Sequence, residues 1–342
     1  SPCQFYSIIN TDKNKALKSK DLLKNFARFI EYYRPGYVLV ENVPGIITNK
    51  DSILPYFLRK LEDLGYKNPV YKVVDMSYYG VPQSRRRFSL IATRLENVNI
   101  HLPKADDKET VLADYLGERN GFPKVSAGHK DSSVFNHTVA GLSDVCLKRL
   151  AKTKHDGGNR LDWANDPELQ LPCFVGKDDC FKDTFGRMWW HRPASTITTK
   201  FYSISNGRFG HPEEDRALSL REGATLQTFP KTYVFKTNSI AATAKLIGNA
   251  VPCEYARRLG ETIKALENNG LDMIFFMLTN ILTETTELIC EGQGALQLAG
   301  KAFHQDIELL EEEGLKEPVL RLPGVVSRKK QLIPELMLAE QE

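Results

Sequence analysis

Between residues 22 and 94 the chain alternates helix-period and strand-like segments in a way that admits few folds. In LLKNFARFIEYY (22–33) apolar residues recur at helical spacing, and RPGYVLVENVPG (34–45) follows as a turn feeding a short buried strand that ends in a loop. DSILPYFLRKLEDLG (51–65) reads as a second helix stopped by glycine, YKVVDMS (71–77) as a strand, YYGVPQ as a loop and RRFSLIATR (86–94) as the next strand. Helices alternating with buried strands imply an α/β layer fold with a largely parallel sheet.

The pattern then weakens. From about 100 to 190, glycine, proline, aspartate and histidine dominate segments such as HKDSSVFNHT and KHDGGNRLDWANDPELQLP, the mark of a loop-rich region or a small irregular domain. Regularity returns at REGATLQTFP (221–230) and in the helical AATAKLIGNAVPCEYARRLGETIKALENN (241–269), and breaks again near NNGLD (268–272). Beyond the break the chain restarts with a hydrophobic strand, a helix and LPGVVSRKKQLIPELM (322–337). A length of 342 residues fits roughly two or three domains. No apolar run is long enough to span a bilayer and no secretory signal is visible, so a cytoplasmic location is expected. Six cysteines without a CxxC pair argue against a zinc site or a disulfide framework. A net charge of +3 is too mild to announce nucleic-acid binding, although SRRR (84–87) and SRKK (327–330) leave it open.

Four places carry residue types suited to chemistry. Cys3 sits in a Pro-Cys-Gln turn, where nearby backbone N–H groups at a helix N-terminus would favour the thiolate; the alternative is an inert buried thiol. Glu41 lies at the C-terminal end of a buried strand, where α/β folds place working groups, or else is an ion-paired structural acid. Gln83, Arg85 and Arg87 alternate on entry to a strand and so share one face, either functional or a solvated edge. Gly248, Asn249 and Pro252 interrupt a helical pattern, consistent with a backbone turn against a ligand.

Taken in order, PCQ, ENV, QxRxR, RPASTIT (192–198) and GNAVP resemble the DNA cytosine-C5 methyltransferases over residues 1 to about 265, and FNHT with LSDVCLKRLAKTKHDGGNRLDW resembles a stretch that many bacterial members carry before their recognition region. The resemblance implies an α/β, Rossmann-like S-adenosylmethionine-dependent methyltransferase sheet and a target-recognition region. It divides the chain into catalytic residues 1–99, recognition residues 100–190, a return to the catalytic domain over 191–267 and a separate tail over 268–342. It implies methyl transfer to C5 of a flipped cytosine in double-stranded DNA, of the bacterial restriction–modification type. Cys3 would add to C6 as nucleophile, a protonated Glu41 would bond ring N3, Arg87 would bond O2, and Arg85 and Gln83 would orient that pair or the Cys3 loop. Pro2, Gln4 and Asn42 would orient the substrate, and Asn249 would lie close to S-adenosylmethionine. Arg, Lys, Asn and His residues of the irregular region would supply the groove contacts.

Members of that family place a glycine-rich strand-turn-helix before the PCQ loop, whereas only Ser1 and Pro2 precede Cys3. The fold expected here is thus an incomplete one, from a truncated reading of a longer gene, from a companion chain that supplies the cofactor segment, or as a remnant that only binds DNA. The isolated chain is expected neither to bind S-adenosylmethionine tightly nor to methylate DNA. The tail, through GVVSRKKQ, resembles the C-terminal substrate-binding domain of manganese-dependent (family II) inorganic pyrophosphatases, a further α/β fragment in which Arg328 and Lys329 would contact phosphate. The metal-binding aspartates and histidines of that family's other domain have no counterpart in the sequence, so pyrophosphate hydrolysis is not expected.

Overall fold

The lengths of two connections decide how the sheet is strung. Helix α1 (Leu22–Tyr33) leads into strand β1 (Tyr37–Asn42), and helix α2 (Leu54–Asp63) carries the chain back to the start of strand β2 (Lys67–Asp75). Only residues 76–85 separate β2 from strand β3 (Arg86–Thr93), too few for a crossover, so β3 returns antiparallel. It inserts between the other two in the order β1-β3-β2, with Val40 opposite Leu90 and Val73 opposite Phe88. The expected largely parallel sheet is therefore corrected: β1 and β2 run the same way, but among the described strands each is hydrogen bonded to an antiparallel neighbour. The computed structural model describes residues 22–96 and 98–267 and the short strands 308–310 and 319–321.

Both faces of the sheet are covered, which is why all six residues of β1 are buried and why its first four, Tyr37 to Val40, read as an unbroken apolar run before Glu41 and Asn42. On one face Val38, Val40, Phe88, Leu90 and Ala92 pack against Phe26 and Ile30 of α1 and Phe57 and Leu61 of α2. On the other, Tyr37, Leu39, Val74 and Ile91 meet Tyr255, Leu259 and Ile263. Those three lie on the last described helix of a series that continues α3 (Asp144–Lys152), α4 (Leu220–Leu226), α5 (Ile240–Asn249) and α6 (Cys253–Glu267). The long helical pattern from 241 is broken into α5 and α6 at GNAVP. Ala250 is extended, and Pro252 disfavours helical geometry in the residue before it.

Residues 94–219 contain α3 and short 3-10 turns rather than a sheet, as the sequence leads one to expect. Without a ladder, inward-facing carbonyls need other donors, and arginine supplies five in one side chain. Arg187, fully buried, donates to the carbonyls of Leu150, Thr153, His211 and Glu214 and to Asp215. Arg208 binds the carbonyls of Gly157, Gly158, Lys182 and Arg187, and Arg160 those of Lys177, Cys180 and Phe181. Arg149 bonds the Leu169 carbonyl and lies over the rings of Trp163 and Phe185. The expectation that the arginines of this region read DNA is corrected for Arg149, Arg160 and Arg187, which hold the region together from inside.

His211 is buried in the same core. Its Nδ1 accepts from the backbone N–H groups of Glu213 (3.3 Å) and Glu214 (3.0 Å), which leaves the proton on Nε2, 3.2 Å from Glu214 Oε1. Burial pushes the imidazole down to about 4 against the pull of Glu222 and Glu214, with Arg216 adding to the fall. The unfolded chain therefore takes up this proton first on acidification, and the stability that His211 contributes above about pH 6.5 declines until about pH 4, where its own share of the loss is complete. The loss is of order ~3 kcal/mol. Urea titrations of the wild type and His211→Gln across this range check it: the variant is expected to lack the decline.

The chain divides into two compact units, residues 1–283 and 284–342. In the second, β4 (Glu308–Leu310) pairs antiparallel with β5 (Val319–Arg321). The strand and helix expected just beyond residue 272 lie outside the described residues.

Candidate active site

β1 ends by presenting Glu41 to the face that packs on α6. Glu41 stands opposite Ser89 on β3, and Arg87, two residues earlier on β3, projects to the same face. Arg87 Nε lies 3.2 Å from Glu41 Oε1, and the carboxylate is only 2% exposed. Beneath the pair, the hydroxyl of Tyr255 donates to Ser89 Oγ at 2.8 Å. Burial raises the Tyr255 phenol far above its usual range, so it stays a neutral donor. Asn42, next along β1, is fully buried, and its Oδ1 accepts the Val43 N–H at 2.8 Å, which fixes the exit from the strand.

The QSRRRF segment (83–88) arrives with the alternation its sequence implies: Gln83 and Arg85 are buried and Ser84 and Arg86 exposed. Regular strand begins only at Arg86, so Gln83 and Arg85 act before it. Gln83 forms a parallel bridge with Ala194, Ser84 N–H donates to the Ala194 carbonyl at 2.9 Å, and Thr196 Oγ1 donates to the Ser84 carbonyl at 2.6 Å. The Gln83 amide donates to Gln227 Oε1 (2.8 Å) and to the Leu226 carbonyl (2.6 Å), and accepts the Ile197 N–H at 3.0 Å. Arg85 donates to the carbonyls of Ile197 (3.0 Å), Gly248 (3.2 Å) and Ala250 (3.2 Å). QxRxR, RPASTIT and GNAVP, more than a hundred residues apart along the chain at the extremes, thus form one hydrogen-bonded block next to Glu41 and Arg87. Gln227 completes the block by donating to the Ile247 carbonyl at 2.6 Å.

Gly248 has a different reason for being glycine than the ligand turn expected of it. A Cβ there would stand 2.4 Å from the Thr198 carbonyl carbon and 2.5 Å from Thr199 N, so its close approach is to the chain's own backbone. Gly248→Ala is expected to cost about 2 kcal/mol, since backbone cannot yield as a flexible side chain does. A shift of the urea midpoint with unchanged slope measures it. Asn249, half-buried at the end of α5, adjoins this block.

The structure therefore brings Glu41, Arg87, Gln83 and Arg85 together, with Asn42 and Asn249 at the margins. Pro2, Cys3, Gln4, Arg328 and Lys329 lie outside the described residues. Gln227 and Tyr255 were not singled out by sequence. Their only signals are a glutamine closing an apolar helix in GATLQ and a tyrosine on the inward spacing of α6.

The family model described as C-5 cytosine-specific DNA methylase matches residues 1–265. The chain belongs to this family. Among relatives of this methylase, the type II methylase M.HgiDII of Herpetosiphon aurantiacus is 35% identical over 270 residues, 77% of this chain and 74% of that protein. The type II methyltransferase M1.BsuMI of Bacillus subtilis is 30% identical over 258 residues, 73% of this chain and 56% of its own. Among solved structures, one described as a prophage-encoded DNA modification methyltransferase of E. coli aligns over 78% of both chains with a TM-score of 0.55 at 18% identity, which shows the α/β methyltransferase fold. A second family model, the DHHA2 domain, matches residues 241–339 and agrees with the pyrophosphatase-like resemblance of the tail. Where the two matches overlap, Tyr255, Leu259 and Ile263 are buried in the core of the methylase sheet. Among the described residues no helix is long and apolar enough to cross a membrane.

Proposed function

We propose that this methylase modifies C5 of cytosine in duplex DNA, as a type II modification enzyme, and that Glu41 and Arg87 activate the flipped base for attack by Cys3. The observation that carries this reading is the buried 3.2 Å pairing of Glu41 with Arg87 at the end of β1, fixed from behind by the block that Gln83 and Arg85 build. A cytosine ring resists attack because charge displaced from C6 must settle on N3 and O2. A proton held between the Glu41 carboxyl and N3, and the Arg87 guanidinium at O2, receive that charge in a site shielded from water. The Cys3 thiolate then forms a bond to C6, and the electron pair of the C5–C6 double bond becomes available at C5. After substitution at C5, loss of the C5 proton and departure of the thiolate restore the aromatic ring.

S-adenosylmethionine, which the family uses, would supply the methyl group when bound. The half-buried Asn249 amide, able both to donate and to accept, fits a polar part of that molecule, and we assign it to the cofactor side of the site. Duplex DNA containing 5-fluorocytosine tests the reading. Fluorine cannot leave C5 as a proton does, so in an assembly that binds the methyl donor a denaturation-resistant adduct mapping to Cys3 is expected. Tight DNA binding with no adduct, under conditions where the donor is bound, would instead identify a DNA-binding remnant.

A further inference from the structure

We propose that Arg192 is a DNA phosphate clamp, held ready by stacking on Trp189; this rests on the DNA-methylation reading above and deepens it. The guanidinium carbon of Arg192 lies 4.6 Å from the centroid of the Trp189 ring, and that of Arg208 lies 4.0 Å from the same ring. The two arginines are otherwise unlike. Arg208 is buried, pairs with Asp183 at 2.8 Å and is bonded to four backbone carbonyls, so its role is internal. Arg192 is exposed, and among the described residues no carboxylate lies within ion-pair distance of it.

Trp189 cannot swing away from this arrangement. Gly157, at φ +108°, lies against the indole so closely that a Cβ would fall 1.7 Å from Nε1. The next residue, Trp190, is tied by its backbone N–H to Asp156 (2.7 Å) and by its Nε1 to Glu213 (2.9 Å). A solvated arginine normally loses side-chain freedom when it grips an anion; here the indole has already ordered it. Two guanidinium groups against one ring, only one of them paired with an acid, leave an unneutralised charge that favours a bound anion.

The position selects which anion. Arg192 lies two residues before Ala194, whose bridge partner Gln83 lies four residues before Arg87. Summing the extended chain segments and the bridge puts the Arg192 backbone at most ~27 Å from that of Arg87, within about eight base pairs along a duplex whose target base occupies the site. A forked, permanently charged group there matches a phosphate of that duplex. His191, next to Arg192 in the chain, is exposed as well, as are Lys154 and His155, which precede the Asp156 and Gly157 that hold Trp190 and Trp189.

The test is the salt dependence of binding to a fluorescent 30-base-pair duplex, read by anisotropy for the full chain. Arg59→Ala, which removes an exposed arginine from α2, serves as a charge-matched control. Arg192→Ala is expected to lower the slope of log affinity against log salt by ~0.9 and to weaken binding alike on every duplex sequence. Its thermal unfolding should be unchanged. Arg192→Lys should restore the slope with lower affinity, because it keeps the charge but not the planar stack. A slope for Arg192→Ala equal to that of Arg59→Ala overturns the inference while leaving the methylase reading intact. A wild-type chain that binds no duplex at all overturns both.

Discussion

Glu41→Gln will slow activation of the target cytosine by about 10²- to 10³-fold while DNA affinity changes little. Glutamine keeps the shape of the side chain and can still reach ring N3, so substrate positioning survives. It cannot hold a proton in exchange with N3 as charge develops there, and it no longer sets the orientation of Arg87 through an ion pair. The stabilisation lost is therefore specific to the transition state, which lowers the single-turnover rate rather than binding. Thermal stability should fall only modestly, because Arg87, with a side chain 14% exposed, also bonds the Arg86 carbonyl and can turn to water. Single-turnover kinetics beside equilibrium DNA binding decide the matter: a rate within about threefold of wild type would mean that Glu41 is a structural acid.

Glu222→Ala is expected to destabilise the fold by about 3–5 kcal/mol. Glu222 is 0% exposed and its Arg216 partner 1%. Two bonds join them (2.7 and 2.8 Å), Glu214 binds the same guanidinium twice (2.9 and 3.0 Å), and Glu222 also accepts the Ser219 N–H at 2.7 Å while Ser219 Oγ caps the start of α4. Removing the carboxylate takes away two of the five hydrogen bonds of a buried guanidinium and the acceptor of the Ser219 N–H, although Ser219 Oγ still caps the helix. Replacing both partners with apolar residues, Arg216→Met with Glu222→Leu, should cost less than Glu222→Ala alone, since the buried charge goes too. Against its own burial, the Arg216 guanidinium holds the Glu222 carboxyl down to about 2, so this support is complete above the ordinary value of 4.5 and is lost as pH falls toward 2. Chemical denaturation of the three proteins at neutral pH, repeated at pH 3, checks both claims.

Periodicity made the fold legible where one segment could be read by itself. The amphipathic pattern of 22–33 coincides with α1, and the helix read over 51–65 is realised as Leu54–Asp63. Strand direction was not legible, because apolar strand composition is the same for parallel and antiparallel neighbours once both faces are covered; the ten-residue link before β3 was the usable signal. In the site, Glu41, Gln83, Arg85 and Arg87 were recognisable from their ordered blocks. The division of labour between them was not, since Gln83 and Arg85 bind backbone carbonyls whose positions depend on residues 194–197 and 247–250. The same limit explains the arginines at 149, 160 and 187. An irregular segment needs internal donors, and sequence cannot separate an arginine that meets this need from one that meets DNA.

Methylation by this chain requires Cys3 to add to a cytosine that Glu41 and Arg87 have activated. Release of tritium from C5 of cytosine in duplex DNA, followed without any methyl donor, reads that addition directly, because an activated C5 exchanges its hydrogen with water. The wild-type chain should release tritium above the protein-free rate, Glu41→Gln at least about a hundredfold more slowly, and Cys3→Ala not at all. Equal release by wild type and Glu41→Gln, or no release by a wild type that binds the duplex, would contradict it.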